Sequence, residues 1–178
     1  MKFNIYSKDN APKASQDLLD GSIKDFGMIP NLHAVLAESP ELLKAYKNLH
    51  ELFSNSSLNA DEKTIVWQTI NIEHGCHYCI PAHTGIAHMM NVGQDLIDAL
   101  RNSSAMPTEK LQVLHNTTLS LVRNRGKLSQ DERETFYSVE YNNQQLLEIV
   151  LGISQKVISN YVNHLADTPV DDAFKKFQ

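Results

Sequence analysis

The 178-residue chain is poor in the residues that build stapled or turn-rich domains: it has two cysteines, six prolines, seven glycines and one tryptophan. Two cysteines exclude a disulfide framework, and the scarcity of turn formers favours helices over a turn-dense β fold. No apolar run reaches the roughly 18 residues of a membrane span, so no membrane segment is expected. Basic residues are short as well, with 16 Lys and Arg against 21 Asp and Glu and a formal net charge of −5. That balance argues against a nucleic-acid surface, which gathers Lys and Arg on one face. Met1 to Ser7 carry no apolar signal core and no cleavage site, which makes the cytoplasm the expected compartment. What is present, 42% apolar and 21% charged residues, is ordinary soluble composition for one domain over residues 1–178, long enough to bury a core.

Apolar spacing predicts an all-α fold. Residues 13–26 place Ala14, Leu18, Leu19, Ile23 and Phe26 at helical intervals, with Gly27 as the stop. A short helix follows Pro30 through Leu32, Val35 and Leu36, and Pro40 opens the next, which carries Leu43, Tyr46, Leu49 and Phe53. Asn59 with Glu62 three residues on is a capping box, starting a helix whose stripe runs Ile65, Val66, Thr69, Ile70, Glu73. Gly75 ends it, and the next helix is expected to begin at Cys76 and reach about Asn91. Shorter pieces follow over Gln94 to Leu100 and Thr108 to Arg123. Ser129 with Glu132 caps a helix to about Tyr141, and Asn142-Asn143 reads as a turn. Gln144 to Ala166, with Leu147, Val150, Leu151, Val157, Ile158, Tyr161 and Leu165, reads as a long buried helix. Residues 1–12 read as an N-terminal arm and 171–178 as a loose tail. Leu58-Asn59-Ala60-Asp61-Glu62 returns seventy residues later as Leu128-Ser129-Gln130-Asp131-Glu132, which raises the expectation of two related helical halves.

The chemistry is concentrated in Glu73-His74-Gly75-Cys76-His77-Tyr78-Cys79-Ile80-Pro81-Ala82-His83, which holds both cysteines and three of the eight histidines. Cysteines three apart on a helical turn are close enough to share a disulfide or a metal, and His83 stacks one turn beyond Cys79. A thiol acts as a nucleophile only as thiolate, and a helix N-terminus or a nearby imidazolium lowers its pKa. The reading is that His83 takes the proton of Cys79 and holds the thiolate as an ion pair. Oxidised to a sulfenic acid, Cys79 closes a disulfide with Cys76. Glu73 is expected to orient His83 or to pass a proton through water. No step requires a metal or an organic cofactor.

Cys-x-x-Cys-x-x-x-His after a helix and a glycine resembles the alkylhydroperoxidase D (AhpD-like) branch of the carboxymuconolactone decarboxylase superfamily. Ile29-Pro30-Asn31-Leu32, Ser39-Pro40-Glu41-Leu42-Leu43 and Ser159-Asn160-Tyr161-Val162-Asn163-His164-Leu165 extend the likeness over about residues 13–174. The resemblance implies an AhpD-like helical bundle that assembles as a homo-oligomer, a trimer or hexamer. It implies reduction of hydroperoxides with electrons from a dithiol, such as the lipoyl group of a partner protein. By position, Cys79 matches the peroxide-attacking cysteine, Cys76 the resolving one and His83 the base. Two positions depart from the pattern. The family's relay glutamate falls on Thr64, leaving Glu73 or Glu62 as replacements, and its histidine before the second cysteine is Tyr78 here, with His77 one place earlier. Glu62, Thr64, His77 and Tyr78 are thus expected around the cluster, outside the reacting groups.

Two other classes fit parts of the pattern. A decarboxylase or isomerase acting on a lactone acid, as elsewhere in that superfamily, needs acid–base groups and an anion-binding cation. Arg101 is the only arginine before Arg123. A zinc-bound or redox-switch interaction module would use Cys76, Cys79 and His83 with His77, His74 or Glu73 as fourth ligand. The ample apolar helices remove the need for a structural metal.

Overall fold

The helix at the centre of the molecule starts from a capping box. Asn59 Oδ1 accepts from the backbone N–H of Glu62, and Glu62 Oε2 accepts from the N–H of Asn59. This opens α4, Ala60–Glu73, whose residues from Thr64 to Asn71 are all buried. The computed structural model describes residues 2–178; Met1, the first residue of the expected arm, lies outside them. Among the described residues there is no strand, and the chain is all helical. Before α4 come α1 (Lys13–Phe26), α2 (Asn31–Leu36) and α3 (Pro40–Ser54); after it come α5 (Cys79–Met89), α6 (Gln94–Arg101), α7 (Glu109–Arg123), α8 (Gln130–Ser138) and α9 (Asn143–Ala166). A 3-10 helix, Asp172–Phe177, follows. α4 is wrapped by α5, α6, α7 and α9, and α3 lies along α9.

Two apolar clusters result. The larger joins α4, α6, α7, α8 and the start of α9 around Phe53, Trp67, Leu114 and Phe136. The smaller joins α1, α2 and α3 to Cys76, Tyr78, Cys79 and Ala82. The cysteine segment therefore lies against the front of the chain. Both echoed pentapeptides form capping boxes, at α4 and at α8. The helices they open differ in length, 14 residues against 9.

The structure corrects four local expectations. Cys76 is not helical: α5 begins at Cys79. α8 ends at Ser138, and Asn142, expected in a turn, caps α9 in a third capping box with Gln145. The tail is not loose, because Asp171 accepts from Tyr78 Oη at 2.5 Å and from the N–H of Asn31 at 2.9 Å. Those long-range partners leave no trace in local composition. Finally, α9 is turned the other way round. Leu147, Val150, Tyr161 and Leu165, expected in the core, are exposed, while Gln155, Lys156, Ser159, Asn160 and Asn163 are fully buried. The spacing of those five residues is itself helical, one polar stripe facing inward. A buried polar face needs partners for every group it brings in, and these partners form the site.

Candidate thiol active site

Gly75 positions the first cysteine. Its φ of +61° lies in the left-handed region where side chains are strained. The turn is a Schellman motif: Gly75 N–H donates to Ile72 O and Cys76 N–H to Asn71 O, both at 2.9 Å. Cys76 then stands just ahead of α5, where its carbonyl accepts from the N–H of Ile80 at 3.1 Å and its Sγ from the N–H of Cys79 at 3.3 Å. Cys79 occupies the first turn of α5, where unpaired N–H groups favour negative charge.

A buried amide network clamps this turn to α4 and α9. Gln68 Nε2 donates to Ile80 O and Thr84 Oγ1, each at 3.1 Å. Asn71 Nδ2 donates to Gln68 Oε1 at 2.9 Å and to Cys79 O at 3.3 Å, and Asn160 Nδ2 donates to Asn71 Oδ1 at 3.0 Å. His74 Nδ1 meets Asn160 Oδ1 at 2.9 Å. Fully satisfied buried networks of this kind rigidify the groups they hold.

Both sulfurs are free and buried. Asn163 Nδ2 donates to Cys79 Sγ at 3.3 Å and reaches to 4.0 Å from Cys76 Sγ. Beside them lies Lys156, with no solvent exposure. Its Nζ is 2.9 Å from His83 Nε2. Burial works against ionisation of Cys79. The S–H of Cys76, the Lys156 charge, the Ser159 hydroxyl and the Asn163 amide outweigh it, so the Cys79 pKa falls below the usual thiol range. Donation to Cys79, then burial, pushes Cys76 up, and it keeps its proton. Burial lowers Lys156 below the ordinary ammonium value, and the Cys79 sulfur beside it opposes that shift. Burial, then the neighbouring Lys156 charge, holds His83 well below the ordinary imidazole value.

Cys79, His83 and Lys156 line a cavity of about 90 Å³ together with His33, Tyr46 and His50 from α2 and α3. An engineered cavity of about 150 Å³ admits benzene, so the enclosed part here takes a few heavy atoms. Phe26 and Met89, both exposed, also line it and mark its mouth.

Cys76, Cys79 and His83 are thus brought together, with the His83 Nε2 against Lys156 rather than hydrogen-bonded to the Cys79 sulfur. Of the other expected residues, Tyr78 lines the cavity and the rest do not. Glu73 is held by Arg123, whose Nε and Nη2 each donate to its carboxylate at 2.8 Å. It makes no hydrogen bond to His83, and its stripe on α4 ends at the surface. His77 is exposed, with Nε2 2.9 Å from Thr168 O. Tyr78 lines the cavity while its hydroxyl ties α2 to Asp171. Glu62 caps α4, and Thr64 is buried along the same helix. Among the described residues no three His, Cys, Asp or Glu side chains are grouped as metal ligands. Arg101 is engaged by Phe177 O and Thr84 Oγ1.

The residues that sequence reasoning missed sit mainly on α9: Gln155, Lys156, Ser159 and Asn163. The signal was their own i, i+1, i+4, i+8 register, hidden because the opposite face of α9 is more apolar.

The arrangement of helices is found in known structures. The chain superimposes on the alkylhydroperoxidase AhpD core, an uncharacterized peroxidase-related protein from Ralstonia eutropha JMP134, with a TM-score of 0.84 at 15% identity, covering 97% of this chain and 93% of that one. The fold is the AhpD fold. A second match, an uncharacterized peroxidase-related protein from Silicibacter sp. TM1040, gives 0.80 at 16% identity over 98% and 95% of the two chains. The debrominase Bmp8 in complex with 2,3,4-tribromopyrrole gives 0.78 at 16% identity over 99% and 95%. No family model matches the sequence, and no curated protein matches it.

Proposed function

We propose that the protein is a thiol-dependent hydroperoxide reductase. The observation that carries this reading is a buried pair of free thiols beside a buried lysine, with Cys79 and Lys156 both lining a small cavity. The Cys79 thiolate attacks the terminal oxygen of the hydroperoxide. An S–O bond forms, the O–O bond breaks, and the departing alkoxide takes the proton of Lys156. Attack of Cys76 on the resulting sulfenic acid forms the disulfide and releases water. A dithiol reductant, such as a protein-bound lipoyl group, returns the two electrons. His83, hydrogen-bonded to Lys156, holds that ammonium in place and accepts no charge of its own. The homo-oligomer belongs to the same reading, and the outward apolar face of α9 is the surface we assign to it.

The test is the mass of the reduced protein after one equivalent of hydroperoxide. Loss of two hydrogens across Cys76 and Cys79 is expected. The Cys76→Ser variant is expected to gain one oxygen on Cys79 instead. A chain whose thiols survive peroxide unchanged contradicts the proposal.

A second reading is favoured by the aromatic lining of the cavity, from Phe26, Tyr46 and the histidine rings, and by the likeness to Bmp8. The same dithiol supplies two electrons to a brominated aromatic, releasing bromide, placing hydrogen on carbon and leaving the disulfide. Bromide release from 2,3,4-tribromopyrrole, with no oxidation by hydroperoxide, selects this reading over the first.

A further inference from the structure

We propose that His50 is a catalytic hydrogen-bond donor that presents its Nε2–H to the leaving oxygen of the hydroperoxide; this rests on the peroxidase reading above. The indole nitrogen of Trp67 is a donor and nothing else. Its Nε1 lies 2.7 Å from Gln155 Oε1, which fixes the orientation of that amide with its NH₂ on the other side. The NH₂ in turn lies 3.0 Å from His50 Nδ1. An amide N–H only donates, so Nδ1 is the unprotonated acceptor and the imidazole carries its proton on Nε2. Trp67 and Gln155 are buried, so water does not compete for either bond.

The ring is also held by its faces. Trp67 stacks on it with centroids 5.7 Å apart and planes 14° from parallel, and Tyr46 stacks at 6.3 Å and 22°. Burial, then the charges of Lys156 and Lys47, brings the His50 pKa down to about 4. At neutral pH the ring is therefore a neutral donor. His50 lines the cavity that Cys79 also lines. Among the described residues the Gln155 bond is its one hydrogen bond, and Nε2 is not among the buried atoms left unpaired. Nε2 thus has no hydrogen-bond partner within the described residues, which leaves it available to a bound group.

The role follows from the charges in the reaction. As the O–O bond breaks, an electron pair leaves on the carbon-bearing alkoxide oxygen. Lys156 supplies the proton that ends there, and His50 donates a hydrogen bond to the same oxygen while keeping its own proton. A fixed donor aimed at developing negative charge accelerates such a step by about 10²–10³. Gln155 and Trp67 are positioning residues, acting through the tautomer they impose.

Nitrogen NMR of the ¹⁵N-labelled full chain reads the tautomer directly. We expect His50 protonated on Nε2 and bare on Nδ1 at neutral pH; an Nδ1–H tautomer or an imidazolium overturns the proposal. In Gln155→Glu the carboxylate only accepts, and His50 is expected to place a proton on Nδ1; an unchanged spectrum overturns the assignment to Gln155. Rapid mixing of reduced protein with tert-butyl hydroperoxide supplies the functional arm. His50→Leu is expected to slow Cys79 oxidation about 100-fold with the thiolate titration unmoved, and His50→Gln, which keeps an N–H, is expected to recover part of the rate. His50→Leu reacting as fast as the native chain overturns the role of His50 alone. A native chain inert to the hydroperoxide overturns the peroxidase reading and this role together.

Discussion

Lys156 Nζ sits 2.9 Å from His83 Nε2, both side chains buried against the cavity that Cys79 lines. An ammonium donating to Nε2 leaves the imidazole proton on Nδ1 and makes a second positive charge there costly. The cation that favours the Cys79 thiolate therefore comes from α9, not from the histidine one turn along α5. Helical spacing within one segment suggested His83, but the stronger charge arrives from a distant part of the chain.

Glu73 is the residue on which sequence and geometry part most clearly. Its carboxylate is chelated by Arg123, and that hydrogen bond holds its pKa below the ordinary carboxylate value. A depressed carboxylate stabilises the fold above its unfolded pKa, and the contribution is lost as pH falls through the folded value. Arg123 lies at the surface and solvent screens the pair, so its contribution is small. Glu73→Gln should change urea unfolding little and leave the rate of Cys79 oxidation unchanged. A tenfold loss of rate would restore Glu73 to the proton path.

Asn163 donates to the reactive sulfur at 3.3 Å, and its Oδ1 is buried with no partner. A hydrogen bond to a charged group is worth about 1.5–3 kcal/mol, or about 1–2 pKa units. Asn163→Leu should raise the Cys79 pKa by that amount, read from the ultraviolet absorbance of the thiolate. An unmoved titration would mean that the amide contributes packing only.

The C-terminal 3-10 helix is seated through Gly85. A Cβ there would stand 2.6 Å from the ring of Phe174, which itself lines the cavity. Gly85→Ala should displace that ring at a cost of about 1–3 kcal/mol and speed amide exchange over residues 172–177. Unchanged protection would show that the ring moves aside without releasing the helix.

Much of the fold was legible because local rules and tertiary packing agree over α1 to α4. Asn59 and Glu62 cap where the capping pattern places them, and Gly75 stops α4 by its left-handed φ. The thiols were legible for the same reason, since their spacing is set within one turn. α9 was misread because its apolar residues outnumber the polar ones. Hydrophobic periodicity reports which face is apolar, while the inward face here is chosen by partners for Lys156, Asn160 and Asn163 on α4 and α5. The tail was misread likewise: the Asp171–Tyr78 bond joins positions that no local pattern connects.

The central claim is that a buried Lys156 charge keeps Cys79 ionised among Cys76, Ser159, Asn163, Tyr46, His83 and His50. Its most direct test is the pH titration of thiolate absorbance in the native chain and in Lys156→Met. A depressed thiol pKa gives a thiolate that persists below the ordinary value of about 8.5 and is lost as pH falls through the lowered one. The native midpoint should therefore lie below that value, and the Lys156→Met midpoint should rise to it or beyond. The variant should be less stable than the native chain wherever Cys79 stays ionised, since removing one partner of a buried pair costs about 3–5 kcal/mol. Coincident titrations in the two proteins would contradict the account.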